Sequence, residues 1–81
     1  MINTLDLHHC TQVEAKKLLD HTLDNLSPNV KELIIIHGYQ GGHVIKDLVL
    51  RYRHHRIDRV IKSLNPGQTS CLIKVKKWSV F

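Results

Sequence analysis

Leu33-Ile34-Ile35-Ile36 is the longest apolar run in the chain, and it breaks at once into His37-Gly38-Tyr39-Gln40-Gly41-Gly42. A run of this kind reads as an inner strand covered on both faces, or as a parallel strand. Upstream of it, Thr11-Gln12-Val13-Glu14 is a capping box, with Thr11 as N-cap and Glu14 reaching back. The helix it opens carries Ala15, Leu18, Leu19, Thr22, Leu23 and Leu26 on one stripe. It should end before Pro28, because Ser27 is biased out of helical geometry. Further upstream, Ile2 to Leu7 reads as a short strand, with Asp6 and His8 on one face and Leu5 and Leu7 on the other. Strand, helix and strand make a right-handed βαβ unit. The two strands are then parallel, and His8 and His37 both stand at C-terminal strand ends.

Downstream, Gly38, Gly41 and Gly42 break the chain before a second helix with Val44, Ile45, Leu48, Val49 and Tyr52 as its apolar stripe. It runs into Arg51-Tyr52-Arg53-His54-His55-Arg56, where positive charge complements the helix macrodipole. Ile57 to Leu64 and Ser70 to Lys77 read as two more strands, joined by the β-turn Asn65-Pro66-Gly67-Gln68. Trp78 to Phe81 is either a packed tail or a frayed one. The expected fold is α/β, in the order βαβαββ: a mixed four-stranded sheet with two helices over one face and the other face partly open. Ligands of open α/β sheets gather at the C-terminal ends of the parallel strands.

The 81 residues form a single domain, 1–81, with its motif-bearing core at 4–77. A chain this short buries only roughly 60–65% of the surface its unfolded form exposes, so the core is small. No apolar run approaches a membrane span. Met1 to His9 lacks a basic region followed by a long apolar one, so no secretory signal is read and a cytoplasmic setting is expected. Cys10 and Cys71 are too few for a disulfide framework and are expected as reduced thiols. The net charge of +5 favours a polyanionic partner, although many small domains carry a modest positive charge.

The chemistry-bearing residues cluster around the expected strand ends. Neighbouring strands lie about 4.8 Å apart, so side chains at adjacent ends can converge on one small group. An unperturbed imidazole titrates near ~6.5, so one histidine can take a proton while another gives one. RNA carries its own nucleophile, the 2′-hydroxyl, and its cleavage by this route needs no metal and leaves a cyclic phosphate. His8 and His37 are the candidate acid–base pair and Asp6 the group that orients an imidazole. Taken alone, either histidine is better explained as a solvated or hydrogen-bonded strand-end residue. Their paired placement beside an acid and a glycine-rich helix start is what points to function. Unpaired N–H groups at such a start attract anions, and glycine lets the backbone approach a phosphate, so Gly38, Gly41 and Gly42 are candidate phosphate contacts. The segment lacks Gly-Lys-Ser/Thr, which excludes a P-loop nucleotidase. Tyr39 can stack on a base, and Lys46, Arg51 and Arg53, with Arg56 and Arg59, can contact phosphates. Asp6, His8 and His37 can alternatively be read as a two-histidine, one-carboxylate site for a divalent metal, ranked below metal-free chemistry.

Leu5-Asp6-Leu7-His8, Thr11 to Ala15, His37-Gly38 followed by Gly42, and Asn65-Pro66-Gly67-Gln68-Thr69 occur in an order that resembles the Smr (small MutS-related) domain, from about Thr4 to Val75. The resemblance implies an α/β two-layer sandwich like the C-terminal domain of translation initiation factor three. It implies endonuclease activity on DNA or RNA, in some members on messenger RNA at stalled ribosomes. Among the residues it points to Asp6, His8, His37, Gly38 and Gly42. Two positions depart from the family pattern: His9 stands where a glycine usually follows Leu-Asp-Leu-His, and Gln40 replaces the middle glycine of the His-Gly-x-Gly-x-Gly motif. The expectation is a nucleic-acid-binding endonuclease, acting on RNA before DNA, with no required cofactor and with nucleic acid and the ribosome as candidate partners. The alternatives are a non-catalytic nucleic-acid- or ribosome-binding module and a metal-dependent DNA-nicking endonuclease.

Overall fold

The computed structural model describes residues 2–38 and 43–74. In chain order the elements are β1 (Ile2–Asp6), α1 (Gln12–Asp24), β2 (Glu32–Ile36), α2 (His43–Arg51), β3 (Ile57–Lys62) and β4 (Gln68–Ile73). The sheet order is β1-β2-β4-β3, with β1 parallel to β2 and both other pairs antiparallel. This is the expected mixed four-stranded βαβαββ sheet with two helices. β3 stops at Lys62, short of the expected Leu64, and β4 begins earlier than expected, at Gln68; residues 75–77 of the expected last strand lie outside the described residues. The tail from Trp78 to Phe81 lies outside the described residues.

The capping box at Thr11 forms as read. Glu14 N–H donates to Thr11 Oγ1 at 3.2 Å, and Thr11 N–H donates to Glu14 Oε1 at 2.9 Å. Ala15, Leu19 and Leu23 of α1, and Ile45 and Val49 of α2, are buried against the sheet. Leu18 and Val44, read as part of the two stripes, are exposed instead. Each lies at the margin of its stripe, where a helix resting on only one sheet face turns towards solvent.

The run at β2 is covered on one face, not on both. Leu33 and Ile35 are buried under the helices, whereas Glu32, Ile34 and Ile36 are half-buried on the opposite face. β4 repeats the alternation, with Thr69, Cys71 and Ile73 inward. Leu7 continues the β1–β2 ladder beyond β1 by donating to the Ile36 carbonyl at 2.7 Å, and its side chain is buried in the same core. Cys10 and Cys71 are free thiols, and burial pushes the Cys71 thiol up to about 11. Among the described residues no helix is long and apolar enough to cross a membrane.

Since β1 and β2 are parallel and each is followed by a helix that runs back, both helices begin at the edge where β1 and β2 end. The β2–β4 pairing brings the start of β4 to that edge, Ile36 standing opposite Gln68, and β3 ends there, Lys62 opposite Thr69. Arg51 closes α2 at the other end of the sheet, near the start of β3.

Candidate functional site

Asp6 and His8 flank the buried Leu7 and so share the face turned away from the helices. A tight turn follows, closed by Cys10 N–H donating to the Leu7 carbonyl at 3.0 Å. It brings the His8 backbone N–H within 3.0 Å of Asp6 Oδ1, and the same oxygen accepts from His8 Nδ1. The side chains of His8 and Asp6 remain 41% and 52% exposed. The His8 ring, more than any other group, holds the Asp6 carboxyl below the usual carboxylate range. A carboxylate only accepts, so Nδ1 carries a proton, and in the neutral ring the lone pair is at Nε2. The His9 ring lies against that of His8, with centroids 3.7 Å apart.

His37 belongs to the other phase of the sheet. It is 1% exposed and sits with Leu33 and Ile35 on the helix-covered face, not with His8 on the open one. Its Nδ1 donates to the Gly38 carbonyl at 2.7 Å, and its Nε2 is 2.8 Å from Thr69 Oγ1, itself fully buried. With Nδ1 protonated, the neutral ring accepts the Thr69 hydroxyl proton at Nε2. The N–H groups of His37 and Gly38 both donate to the Gly67 carbonyl, at 2.9 and 3.0 Å. Gly67 lies in the expected turn, which is closed by Gln68 N–H to the Asn65 carbonyl (3.1 Å) and by Gly67 N–H to Asn65 Oδ1 (2.9 Å). Gly38 adopts φ 73°, a left-handed conformation that favours glycine, and a Cβ placed on it would lie 3.5 Å from His8 Cβ. Gly38 is thus the link between the buried His37 and the exposed His8. Gly67 and Thr69 complete the site, although the residue pattern marked Gly67 only as part of a turn and gave Thr69 no role. The signal available was their place in the Asn65 to Thr69 motif.

The other expected contacts are dispersed. Tyr39, Gly41 and Gly42 lie outside the described residues. Lys46 is half-buried in the first turn of α2, near the site edge. Arg51 stands about 7.5 Å further along the helix axis, and Arg53 lies beyond it. A groove of about 520 Å³ between the helices reaches from Gln12 and Val44 near the site edge to Arg51 and Arg53. Its cations are offset by Asp20 and Asp47, and Asp20 accepts from Lys16 and from the Tyr52 hydroxyl.

Arg56 serves the fold instead. Its guanidinium donates to the carbonyls of Leu23 (3.2 Å), Leu26 and Ser27 (3.4 Å), closing the C-terminal end of α1. His54 is similarly engaged, with Nε2 donating to Asp24 at 2.9 Å and Nδ1 accepting from Arg56 N–H at 3.1 Å. Asp6, His8 and His37 do not form a metal-ligand set. Both ring nitrogens of His37 are occupied, and among the described residues no three His, Cys, Asp or Glu side chains are gathered for a metal.

In comparisons with known proteins, the model of the family described as "Smr domain" matches residues 5–70. No curated protein matches, and no solved structure does.

Proposed function

The chain belongs to the Smr domain family, and we propose that it is an endonuclease that cleaves phosphodiester bonds in RNA by histidine acid–base chemistry. The observation that carries this reading is the exposed Asp6–His8 pair, with the imidazole held by its Nδ1 side and its Nε2 without a partner among the described residues. Asp6 fixes the tautomer and stabilises the imidazolium that forms when Nε2 accepts a proton. His8 Nε2 takes the 2′-hydroxyl proton, the 2′-oxygen attacks the adjacent phosphorus, and the 5′-oxygen leaves. The products are a 2′,3′-cyclic phosphate and a 5′-hydroxyl. The leaving oxygen takes its proton from His9, whose ring contacts His8 on the exposed side. The α2 N-terminus at this edge contributes positive potential, and Lys46, Arg51 and Arg53 contribute phosphate contacts along the bound strand.

The test is incubation of labelled RNA and DNA with wild type and with His8→Ala, with and without chelator. The reading expects RNA cleavage that survives chelation and is lost in His8→Ala. Nicking of DNA only on addition of metal sinks it in favour of a metal-dependent nuclease. A second reading, a nucleic-acid-binding module without catalysis, is favoured by one observation: the second motif histidine is closed to substrate. Under that reading His8→Ala changes no measured activity, while changes at Arg51 and Arg53 still weaken binding.

A further inference from the structure

We propose that His37 is a positioning residue: with Thr69 and the Gly67 carbonyl it holds Gly38 in place beside His8 and so fixes where the reacting imidazole stands. The proposal rests on the reading of Asp6 and His8 as the reacting pair. Four hydrogen bonds converge on two residues. Gly67 accepts both backbone N–H groups of His37 and Gly38, the His37 ring ties back to the Gly38 carbonyl, and Thr69 anchors the far side of the ring. The ring is a strut between Thr69 on β4 and Gly38, the second residue after β2. Glycine adopts a left-handed conformation without steric cost but has no need to keep it, and these hydrogen bonds select it at Gly38. On its other side Gly38 faces His8 across a gap that one methyl group would fill: a Cβ placed on Gly38 would lie 3.5 Å from His8 Cβ. The backbone at Gly38 therefore borders the space in which the His8 side chain stands, and a shift of Gly38 changes where Nε2 can reach a substrate hydroxyl.

The Asn65-Pro66-Gly67-Gln68-Thr69 segment acquires a purpose it lacks as a simple hairpin turn. It presents one carbonyl and one hydroxyl, Gly67 O and Thr69 Oγ1, to the same histidine. The ring must be the Nδ1–H tautomer, since its Nδ1 partner is a carbonyl oxygen that cannot donate. It must also stay out of proton transfer, because neither nitrogen faces solvent.

The experiment uses 15N-labelled full-length protein and reads the imidazole nitrogens of wild type, Thr69→Val and Thr69→Ser by long-range proton–nitrogen correlation. The same variants are assayed for kcat and KM on RNA. The wild type should show His37 as the Nδ1–H tautomer. Thr69→Ser should retain that pattern, the His8 resonances and activity. Thr69→Val should shift both rings and lower kcat by about 10- to 100-fold while KM stays within about twofold, the signature of misplacement and not of weakened binding. A wild-type His37 in the Nε2–H form, or His8 resonances unmoved in folded Thr69→Val, overturns the proposal. If Thr69→Val fails to fold, the wild-type tautomer and the Thr69→Ser spectrum decide. If the wild type cleaves no RNA, the endonuclease reading fails by itself, and the spectra still decide whether Thr69 and His37 position His8.

Discussion

Arg56 and Arg53 lie in one basic run and should behave in opposite ways when removed. Arg56 donates to the Leu23, Leu26 and Ser27 carbonyls, and its positive charge sits at the negative end of α1. Hydrogen bonds from a charged donor are worth about 1.5–3 kcal/mol, and three made by one guanidinium do not add in full. Arg56→Ala should therefore destabilise by about 2–3 kcal/mol, once the helix-end charge is included. A chain of this size has roughly 4–12 kcal/mol of stability in all. The variant should fold, with its thermal midpoint lowered by roughly 8–24 °C. Among the described residues Arg53 donates only to the neighbouring Tyr52 carbonyl, at 3.3 Å, and it is otherwise exposed. Arg53→Ala should leave the midpoint within about 2 °C, because surface changes cost little. In binding, the order reverses. Removing one cation that neutralises a phosphate reduces the slope of log K against log salt by about 0.7–0.9. Arg53→Ala should show that reduction, and Arg56→Ala should not. Urea and thermal unfolding, with fluorescence titration of a single-stranded RNA at several salt concentrations, measure both. An Arg56→Ala protein as stable as wild type, with a reduced salt slope, would refute the division of this run into a structural and a binding arginine.

Other outcomes follow from particular residues. Gly38→Ala should cost about 1–2 kcal/mol of stability through backbone conformation alone, since its Cβ has room beside His8. Gly67→Ala, whose Cβ meets only ordinary contacts and whose φ is not positive, should change unfolding midpoints little; equal destabilisation at both glycines would contradict a conformational origin. Acid should destabilise the fold: hydrogen bonds from His8, Thr11 and Tyr52 hold Asp6, Glu14 and Asp20 below their usual values. Their stabilisation is complete above the unfolded carboxylate range near ~4 and is lost as pH falls through the lower folded values. Urea midpoints between about pH 5 and 2 should drop, and the drop should be shallower in Asp20→Asn. With its thiol pushed up to about 11 by burial, Cys71 should react with a thiol reagent only on unfolding, after the half-buried Cys10. Faster modification of Cys71 in the native protein would show that the β4 core opens.

The βαβ unit was legible because its signals are local: an alternating strand, a capped stripe of helix, an apolar run. The placement of the two histidines was also written in the alternation, but only when carried past the strand ends. Leu5 and Leu7 face the helices, which turns Asp6 and His8 outward. The same alternation from Leu33 through Ile35 turns His37 inward. Parallel neighbours at one edge therefore present their histidines to opposite faces. Treating a strand end as a point, without its phase, merged the two. The distance of Arg51 and Arg53 from Asp6 and His8 follows likewise from the direction of α2, which runs away from the edge where β1 and β2 end. The part played by Gly67 and Thr69 was not legible from local pattern. It depends on β4 inserting between β2 and β3, a long-range pairing that no spacing in the chain specifies.

End-group analysis of RNA fragments, produced in the presence of chelator by wild type and by His8→Ala, bears on the chemistry itself. Wild type should leave 2′,3′-cyclic phosphate and 5′-hydroxyl ends, with the rate falling by about 100-fold or more in His8→Ala, as when a general base is removed. Fragments with 5′-phosphate ends, or cleavage undiminished in His8→Ala, would contradict histidine acid–base cleavage at Asp6 and His8.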